Sequence, residues 1–178
     1  MRFGCGRRPK PRVSAMARPE FTVEALVAGL IASGQTVATA ESLTGGLIGA
    51  TLTEVPGASA AYLGGVIVYQ TELKHLLGGV PVEILEQDGP VAGSTAESLA
   101  AGVRHSTGAT WGLAVTGVAG PTSQDGHPPG TVWVGVAGPS DVASRLLELS
   151  GDRSAIRVQT VRSALAWLGE LALGEDWS

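Results

Sequence analysis

The segment covering residues 36–52 constrains the fold most, because its pattern predicts a strand that turns sharply into a helix. Residues 36–40 alternate β-branched side chains with alanine, which favours a short buried strand. The polar turn Glu41-Ser42-Leu43-Thr44 follows, and two glycines lead from it into helix-like residues. Such a unit places its turn at the carboxyl end of a sheet and points backbone N–H groups outward from the helix N-terminus. Ser42 is therefore predicted to be a nucleophile with an oxyanion site close by.

A second strand with a polar end is predicted over residues 64–69, and it leads into a helix that contains Lys74. The only other lysine is Lys10, near the start of the chain. Arginine cannot lose its proton at neutral pH, whereas a buried lysine can have its pKa lowered enough to act as a base. Lys74 is therefore a candidate general base, and an ordinary solvated surface lysine is the alternative.

The charge and cysteine content narrow the class of protein. The chain has 178 residues, 44% of them hydrophobic, which suits one domain with a full core. A formal net charge of −4 argues against nucleic acid as a partner, since that role needs a basic face. The single cysteine, Cys5, cannot form an internal disulfide, which fits a cytoplasmic protein. No apolar run approaches the length of a membrane span, so no membrane association is expected.

The basic charge is concentrated in residues 1–19, which carry six Arg and Lys residues and no acidic residue. Removing these six charges leaves −10 for the rest of the chain. The Pro and Gly content and low hydrophobicity of this leader predict a disordered tail, with Met16 as an alternative start. The folded domain is expected over residues 20–174.

Helical and strand patterns alternate along that domain, which predicts a layered α/β fold. A turn at residues 138–141 joins two of the strands as a hairpin, so a mixed sheet is expected. Ser94 and Glu97 are predicted to form a capping box and are assigned no chemistry. Helices are predicted over 23–33, 47–55, 72–78, 81–87, 94–106 and 153–173, and strands over 36–40, 64–69, 111–115, 131–136 and 142–149.

A third polar loop, Thr116 to Pro121, follows the apolar strand over residues 111–115. Two glycines in this loop suit a concave nest of backbone N–H groups that holds an anion, although glycine in such loops often serves turn geometry alone. The three strand ends converge if their strands are parallel neighbours, and ligands of open α/β sheets bind at that edge. A nucleophile, a base and an anion cradle together suggest hydrolysis of a small phosphorylated substrate.

Other familiar sites do not match. Ser42 lacks the flanking glycines of a nucleophile elbow, and no lysine stands three residues after it. The three histidines (His75, His105, His127) are too scattered for a triad or a metal site, and no Walker A or dinucleotide fingerprint is present. No metal or cofactor is expected.

Five motifs in order resemble the C-terminal domain of the CinA family, and together they cover residues 21–173. They are Ala40-Glu41-Ser42-Leu43-Thr44-Gly45-Gly46, Gly65-Val66-Ile67-Val68-Tyr69 with Lys74, Thr116-Gly117-Val118-Ala119-Gly120-Pro121, Pro129-Gly130-Thr131-Val132 and Gly151-Asp152-Arg153. The resemblance implies a three-layer α/β sandwich, a homo-oligomer such as a dimer, and no metal requirement. It also implies a nicotinamide-nucleotide amidase, which converts nicotinamide mononucleotide to nicotinate mononucleotide and ammonia. The chain is similar to the stand-alone form, without the additional N-terminal domain of longer members.

In the predicted mechanism Ser42 attacks the carboxamide, Lys74 is the base, and Tyr69 orients Lys74 or relays its proton. The chain departs from the family pattern at Thr71, Ala92 and His127, which leaves substrate affinity and preference open. One alternative is therefore a catalytically weak or inactive nucleotide-binding or regulatory module, and another is an amidase or esterase for unphosphorylated substrates. The predicted substrate-binding residues are Glu41, Thr44, Gly45, Gly46, Thr116, Gly117, Ala119 and Gly120.

Overall fold

The structure is a computed structural model that describes residues 21–174. The predicted leader and the alternative start at Met16 lie outside these residues. The described chain forms six α-helices, one 3₁₀ turn (Ala58–Ala60) and five β-strands. The helices are α1 (Val23–Ala32), α2 (Leu47–Thr53), α3 (Thr71–Leu76), α4 (Val82–Gln87), α5 (Gly93–Thr107) and α6 (Arg153–Leu173), and the strands are β1 (Val37–Glu41), β2 (Tyr62–Ile67), β3 (Trp111–Gly117), β4 (Thr131–Ala137) and β5 (Val142–Glu148).

The five strands form one mixed sheet in the order β2-β1-β3-β4-β5. The alternating pattern and the hairpin predicted a mixed sheet, whereas the order of the strands was not predicted. Strand β1 is parallel to both of its neighbours, whereas β4 and β5 are antiparallel additions at one side. In this register Glu41 at the end of β1 pairs with Ile67 of β2 and with Val115 of β3. The loops that follow the three parallel strands therefore leave the same edge of the sheet, which is where the sequence places its polar turns.

Helices cover both faces of the sheet, giving three layers. On one face α1, α2 and α6 pack together over a core that includes Leu30, Leu113 and Leu165. On the other face α5 packs along β3 and β4 over a smaller core around Leu99. Strand β3 is buried on both faces, as its apolar run predicts. No helix within residues 21–174 is long and apolar enough to cross a membrane.

Two helix caps agree with the sequence prediction. The Thr22 side chain accepts a hydrogen bond from Ala25 N–H at the start of α1. The Asp152 carboxylate does the same for Ala155 N–H at the start of α6. These caps fix where both helices begin, and in α6 this places the first turn beside the polar edge of the sheet.

The predicted capping box was wrong. Helix α5 begins after Ala92, which makes no side-chain cap hydrogen bond. The Ser94 hydroxyl instead donates to Asp88 at 2.6 Å, and the Glu97 carboxylate accepts from the Ser144 hydroxyl at 2.7 Å. Ser94 and Glu97 therefore each bond to a partner outside the predicted capping box, Ser94 to Asp88 and Glu97 to Ser144.

The second parallel strand also ends earlier than predicted. Strand β2 stops at Ile67, so Tyr69 lies in the connection to α3 and not in the sheet. Pro81 is the residue before α4 and not its first residue. Leu171, predicted on the buried face of the last helix, is 44% exposed.

Candidate active site

The structure brings Ser42 and Lys74 into direct contact. Ser42 is the first residue after β1, and Lys74 lies on the short helix α3 that follows β2. Because β1 and β2 are parallel neighbours, their ends are adjacent, and the Lys74 Nζ lies 3.0 Å from the Ser42 Oγ. Both side chains are buried, with 6% and 3% exposure for Ser42 and Lys74 respectively. This is the geometry required between a hydroxyl nucleophile and its base.

Burial changes the acidity of the Lys74 ammonium. Its Nζ also donates to the carbonyl oxygen of Val68 at 2.9 Å, and no carboxylate compensates its charge. Removal from water disfavours the charged form and lowers the pKa of Lys74 from 10.5 to about 8. A substantial fraction of Lys74 is therefore neutral near physiological pH. The neutral amine can keep its N–H bond to Val68 while its lone pair accepts the Ser42 proton.

Ser42 and Lys74 open into a cavity of about 400 Å³ at the carboxyl edge of the parallel strands. This volume suits a ligand of the size of a mononucleotide. Lys74 and Arg153 are the only charged residues among those that line it. The cavity is thus positive within an otherwise acidic domain, which favours an anionic ligand. It is lined by Ser42, Leu43, Tyr69, Gln70, Thr71, Lys74, Pro90, Val91, Thr116, Gly117, Val118, Ala119, Gly120, Thr122, Ser123, Gln124 and Arg153.

The end of β3 and the loop after it form one wall of the cavity, and the four predicted binding residues there, Thr116, Gly117, Ala119 and Gly120, all line it. The Thr116 hydroxyl donates to the Pro90 carbonyl at 2.6 Å, and Val118 N–H donates to Thr131. Within the described residues, the N–H groups of Ala119 and Gly120 have no hydrogen-bond acceptor. These two donors remain available to an anion, as the predicted nest requires.

Tyr69 lines the cavity but makes no hydrogen bond to Lys74 within the described residues. Its side chain is 54% exposed, and its hydroxyl accepts a hydrogen bond from Arg153 at 3.0 Å. Arg153 also donates to the Gly120 carbonyl at 2.8 Å. The predicted orienting role for Tyr69 is therefore corrected: the Val68 carbonyl holds the Lys74 amine, and Tyr69 positions Arg153.

Four predicted substrate-binding residues, Glu41, Thr44, Gly45 and Gly46, do not line the cavity. The Gly45 N–H donates to the Ser42 carbonyl at 3.1 Å, and the Gly46 N–H donates to the Glu41 carboxylate at 3.0 Å. Glu41 itself is 2% exposed. The expectation that this part of the turn holds a ligand is corrected, because two acceptors of the protein, the Ser42 carbonyl and the Glu41 carboxylate, already take these donors.

The backbone N–H of Leu43 is a better candidate for binding a ligand than the N–H groups of Gly45 and Gly46. Leu43 directly follows Ser42 and lines the cavity. Among the hydrogen bonds of residues 21–174, none uses the Leu43 N–H as donor, although Leu43 is only 3% exposed. A buried backbone N–H without an acceptor is costly and is often explained by a functional role. In several serine hydrolases the N–H after the nucleophile forms part of the oxyanion hole.

The sequence did not identify Arg153 as a cavity residue, although the motif Gly151-Asp152-Arg153 contains it. The available signal was its position directly after the Asp152 helix cap, at the N-terminus of a helix whose start adjoins the polar sheet edge. It also missed the Val68 carbonyl, for which a sequence carries no signal, because any residue supplies the same backbone atom.

Comparison with protein families agrees with the fold. Residues 20–172 match the CinA C-terminal domain. A CinA-like protein of Frankia casuarinae is 47% identical over 154 residues, which are 86% of this chain and 36% of that protein. A putative competence-damage inducible protein of Desulforamulus reducens is 48% identical over 136 residues, 76% of this chain and 33% of that protein. The chain thus spans about a third of the length of these curated relatives.

Solved structures share the same fold over most of the chain. Competence damage-inducible protein A from Klebsiella pneumoniae superposes with a TM-score of 0.79 at 33% identity, covering 84% of this chain and 97% of that one. The competence/damage inducible protein CihA from Agrobacterium tumefaciens superposes with a TM-score of 0.78 at 35% identity, covering 84% and 95%.

Proposed function

The chain belongs to the CinA C-terminal domain family, and we propose that it hydrolyses the carboxamide of nicotinamide mononucleotide to nicotinate mononucleotide and ammonia. The observation that carries this proposal is the buried 3.0 Å contact between Ser42 Oγ and Lys74 Nζ. It lies in a cavity of about 400 Å³ that contains no acidic lining residue. A nucleophile with its own base suits amide hydrolysis, and the positive cavity suits a phosphorylated substrate.

The first half of the reaction forms an acyl-enzyme. Neutral Lys74 takes the proton of the Ser42 hydroxyl as Oγ attacks the carboxamide carbon. The carbonyl oxygen becomes an oxyanion, which the Leu43 N–H stabilises. Lys74 then gives its proton to the amide nitrogen, the C–N bond breaks, and ammonia leaves.

The second half releases the acid. Lys74 removes a proton from a water molecule, whose oxygen attacks the Ser42 ester. The second tetrahedral intermediate collapses by breaking the bond to Oγ, and Lys74 returns its proton to Ser42. The product carries a carboxylate where the substrate carried an amide, and the enzyme regains its starting state.

The phosphate of the nucleotide is assigned to the cavity mouth. The Arg153 guanidinium has five N–H donors, and two contacts to Tyr69 and Gly120 leave others free for a ligand. The N–H groups of Ala119 and Gly120 lie on the same wall. Charge-assisted bonds of this kind favour phosphate over a neutral group.

Arg153→Gln should weaken binding of the phosphorylated substrate without slowing the chemistry. Loss of a charged hydrogen bond costs about 1.5–3 kcal/mol, so KM for nicotinamide mononucleotide should rise about 10–100-fold with kcat little changed. Nicotinamide riboside, which lacks the phosphate, should show little change in KM. Arg145→Gln is the matched control, because Arg145 contacts Trp167 and Glu170 away from the cavity. Equal losses for both substrates would show that Arg153 does not bind phosphate.

Ammonia release by the purified protein tests the activity itself. We expect turnover of nicotinamide mononucleotide with much higher kcat/KM than for nicotinamide riboside or free nicotinamide. A preference for free nicotinamide would instead indicate an amidase for unphosphorylated substrates. Absence of ammonia from all three amides would contradict the proposal.

The second candidate is a nucleotide-binding or regulatory module with little or no turnover. Thr71, one of the departures from the family pattern, lines the cavity beside the dyad. His127 lies in the neighbouring hairpin, where its backbone pairs with Gln124, a lining residue. Tight binding of the mononucleotide in calorimetry, together with no ammonia release, would favour this function.

A further inference from the structure

Two charged side chains hold the turn that carries Ser42, and neither lines the cavity. The first is Glu41, the last residue of β1. Its carboxylate accepts four hydrogen bonds, from the Thr44 hydroxyl at 2.7 Å and from the N–H groups of Gly46, Ile48 and Gly49 at 3.0, 3.0 and 2.8 Å. Gly46 is the N-cap of α2 and has no side chain that could cap the helix. Glu41 supplies that cap from five residues earlier in the chain.

The second is Arg157 of α6, which is more than a hundred residues from the turn in the sequence but contacts it in the fold. Its Nε donates to the Leu43 carbonyl at 3.1 Å and its Nη2 donates to the Thr44 carbonyl at 2.7 Å. Glu41 therefore takes the N–H groups at the end of the turn, and Arg157 takes the carbonyl groups at its start. Six hydrogen bonds to these two side chains fix residues 43–49, which comprise most of the turn and the start of α2.

These bonds determine where the remaining N–H groups of the turn point. A trans peptide unit is planar, so its C=O and N–H point in opposite directions. The Arg157 bond to the Leu43 carbonyl thus orients the Thr44 N–H away from Arg157. The Gly45 bond to the Ser42 carbonyl orients the Leu43 N–H in the same way. The Arg157 bond to the Thr44 carbonyl likewise orients the Gly45 N–H, so Arg157 acts on the Leu43 N–H through the Gly45 bond to the Ser42 carbonyl.

We propose that Arg157 and Glu41 are positioning residues of the reaction, which hold Ser42 and the Leu43 N–H in their reactive arrangement. The inference rests on the proposed function for its chemistry, because it assigns the nucleophile to Ser42. It goes beyond that function because it predicts that Arg157 and Glu41, which touch no reacting atom, contribute to the catalytic rate.

Arg157→Ala tests the inference against a matched control, Arg104→Ala. Arg104 also donates from its guanidinium to a backbone carbonyl, that of Thr110 at 2.9 Å, but it lies on α5 and does not line the cavity. We expect kcat to fall about 10–100-fold in Arg157→Ala with KM nearly unchanged, since small displacements of reacting groups can cost about 10² in rate. Arg104→Ala should keep wild-type kcat. Millimolar guanidinium ion should restore part of the kcat of Arg157→Ala alone, and Arg157→Lys should lie between wild type and Arg157→Ala.

Amide hydrogen exchange gives a readout that does not depend on the substrate. The N–H groups of residues 45–49 should exchange about tenfold faster or more in Arg157→Ala than in wild type, because the turn opens more often. Glu41→Gln should show the same effect, since a carboxamide cannot accept all four bonds. Its control, Glu97→Gln, removes a carboxylate that accepts from Ser144 on the other face of the sheet. Neither control variant should change exchange in the turn.

The outcomes separate this inference from the proposed function. If wild type releases no ammonia from any amide, the proposed function fails, and the rate at which a fluorophosphonate modifies Ser42 replaces kcat in the comparison. Unchanged exchange in Arg157→Ala, or faster exchange with wild-type kcat, overturns the inference. A wild-type Ser42 that neither turns over substrate nor reacts with the probe also overturns it, because the turn would then support no reactivity.

Discussion

Ser42→Ala is expected to lower kcat for ammonia release by about 10⁴-fold or more, the largest effect of any single substitution in this chain. Removing the nucleophile of such a unit eliminates the covalent route and leaves only the contribution of binding and oxyanion stabilisation. The alanine side chain fits in the space of serine, and Ser42 Oγ has no hydrogen-bond partner other than Lys74 within the described residues. The variant should therefore fold normally and still bind the nucleotide, which calorimetry would measure.

Ser106→Ala is a suitable control, because its hydroxyl donates only to the Val103 carbonyl within α5. It should retain full activity. A second measurement identifies the intermediate: added hydroxylamine should capture the acyl group as a hydroxamate in wild type. Ser42→Ala that keeps more than a few per cent of wild-type kcat would exclude the covalent mechanism.

The sequence alone predicted a mixed sheet, and it predicted that Ser42 and Lys74 lie together if their strands are parallel neighbours. This was possible because the strand–turn–helix patterns at Ser42 and at Lys74 are local, and because parallel neighbouring strands must end at one edge. The apolar run over residues 111–115 predicted strand β3, which lies between β1 and the β4–β5 hairpin in the sheet. Both dyad residues were identified by residue chemistry, and the fold then determined their distance.

What the sequence did not predict depends on contacts that form only once the chain has folded. The Glu41 carboxylate was predicted to bind ligand, yet its four donors lie within the next eight residues and appear only when the turn folds back on itself. Arg157 is more than a hundred residues from the turn it holds. The capping box failed for the same reason, since Ser144 on β5 takes the Glu97 carboxylate. Local patterns could not reveal which of several possible partners a polar side chain meets.

Lys74→Arg is expected to lower kcat by about 10²–10⁴-fold, because arginine keeps the positive charge and cannot accept the Ser42 proton. The pH profile supplies the second part of this prediction. Burial lowers the pKa of Lys74 to about 8, so the neutral base is the minor form below that pH and predominates above it. Wild-type kcat/KM should therefore rise with pH and level off above about 8, and this limb should be absent from the residual activity of Lys74→Arg.

The base can be restored chemically in Lys74→Cys, and this separates basicity from the other properties of the side chain. Treatment with 2-bromoethylamine converts the introduced cysteine to a lysine analogue, whose sulfur makes the amine less basic. We expect activity to return with its pH limb shifted to lower pH. Treated wild type is the control, because Cys5 is its only cysteine and reacts in both proteins. Restored activity with an unshifted profile would show that a group other than Lys74 accepts the proton.

Ser42 and Lys74 act as one unit in this mechanism. The double variant that combines Ser42→Ala with Lys74→Met should therefore be hardly slower than Ser42→Ala alone.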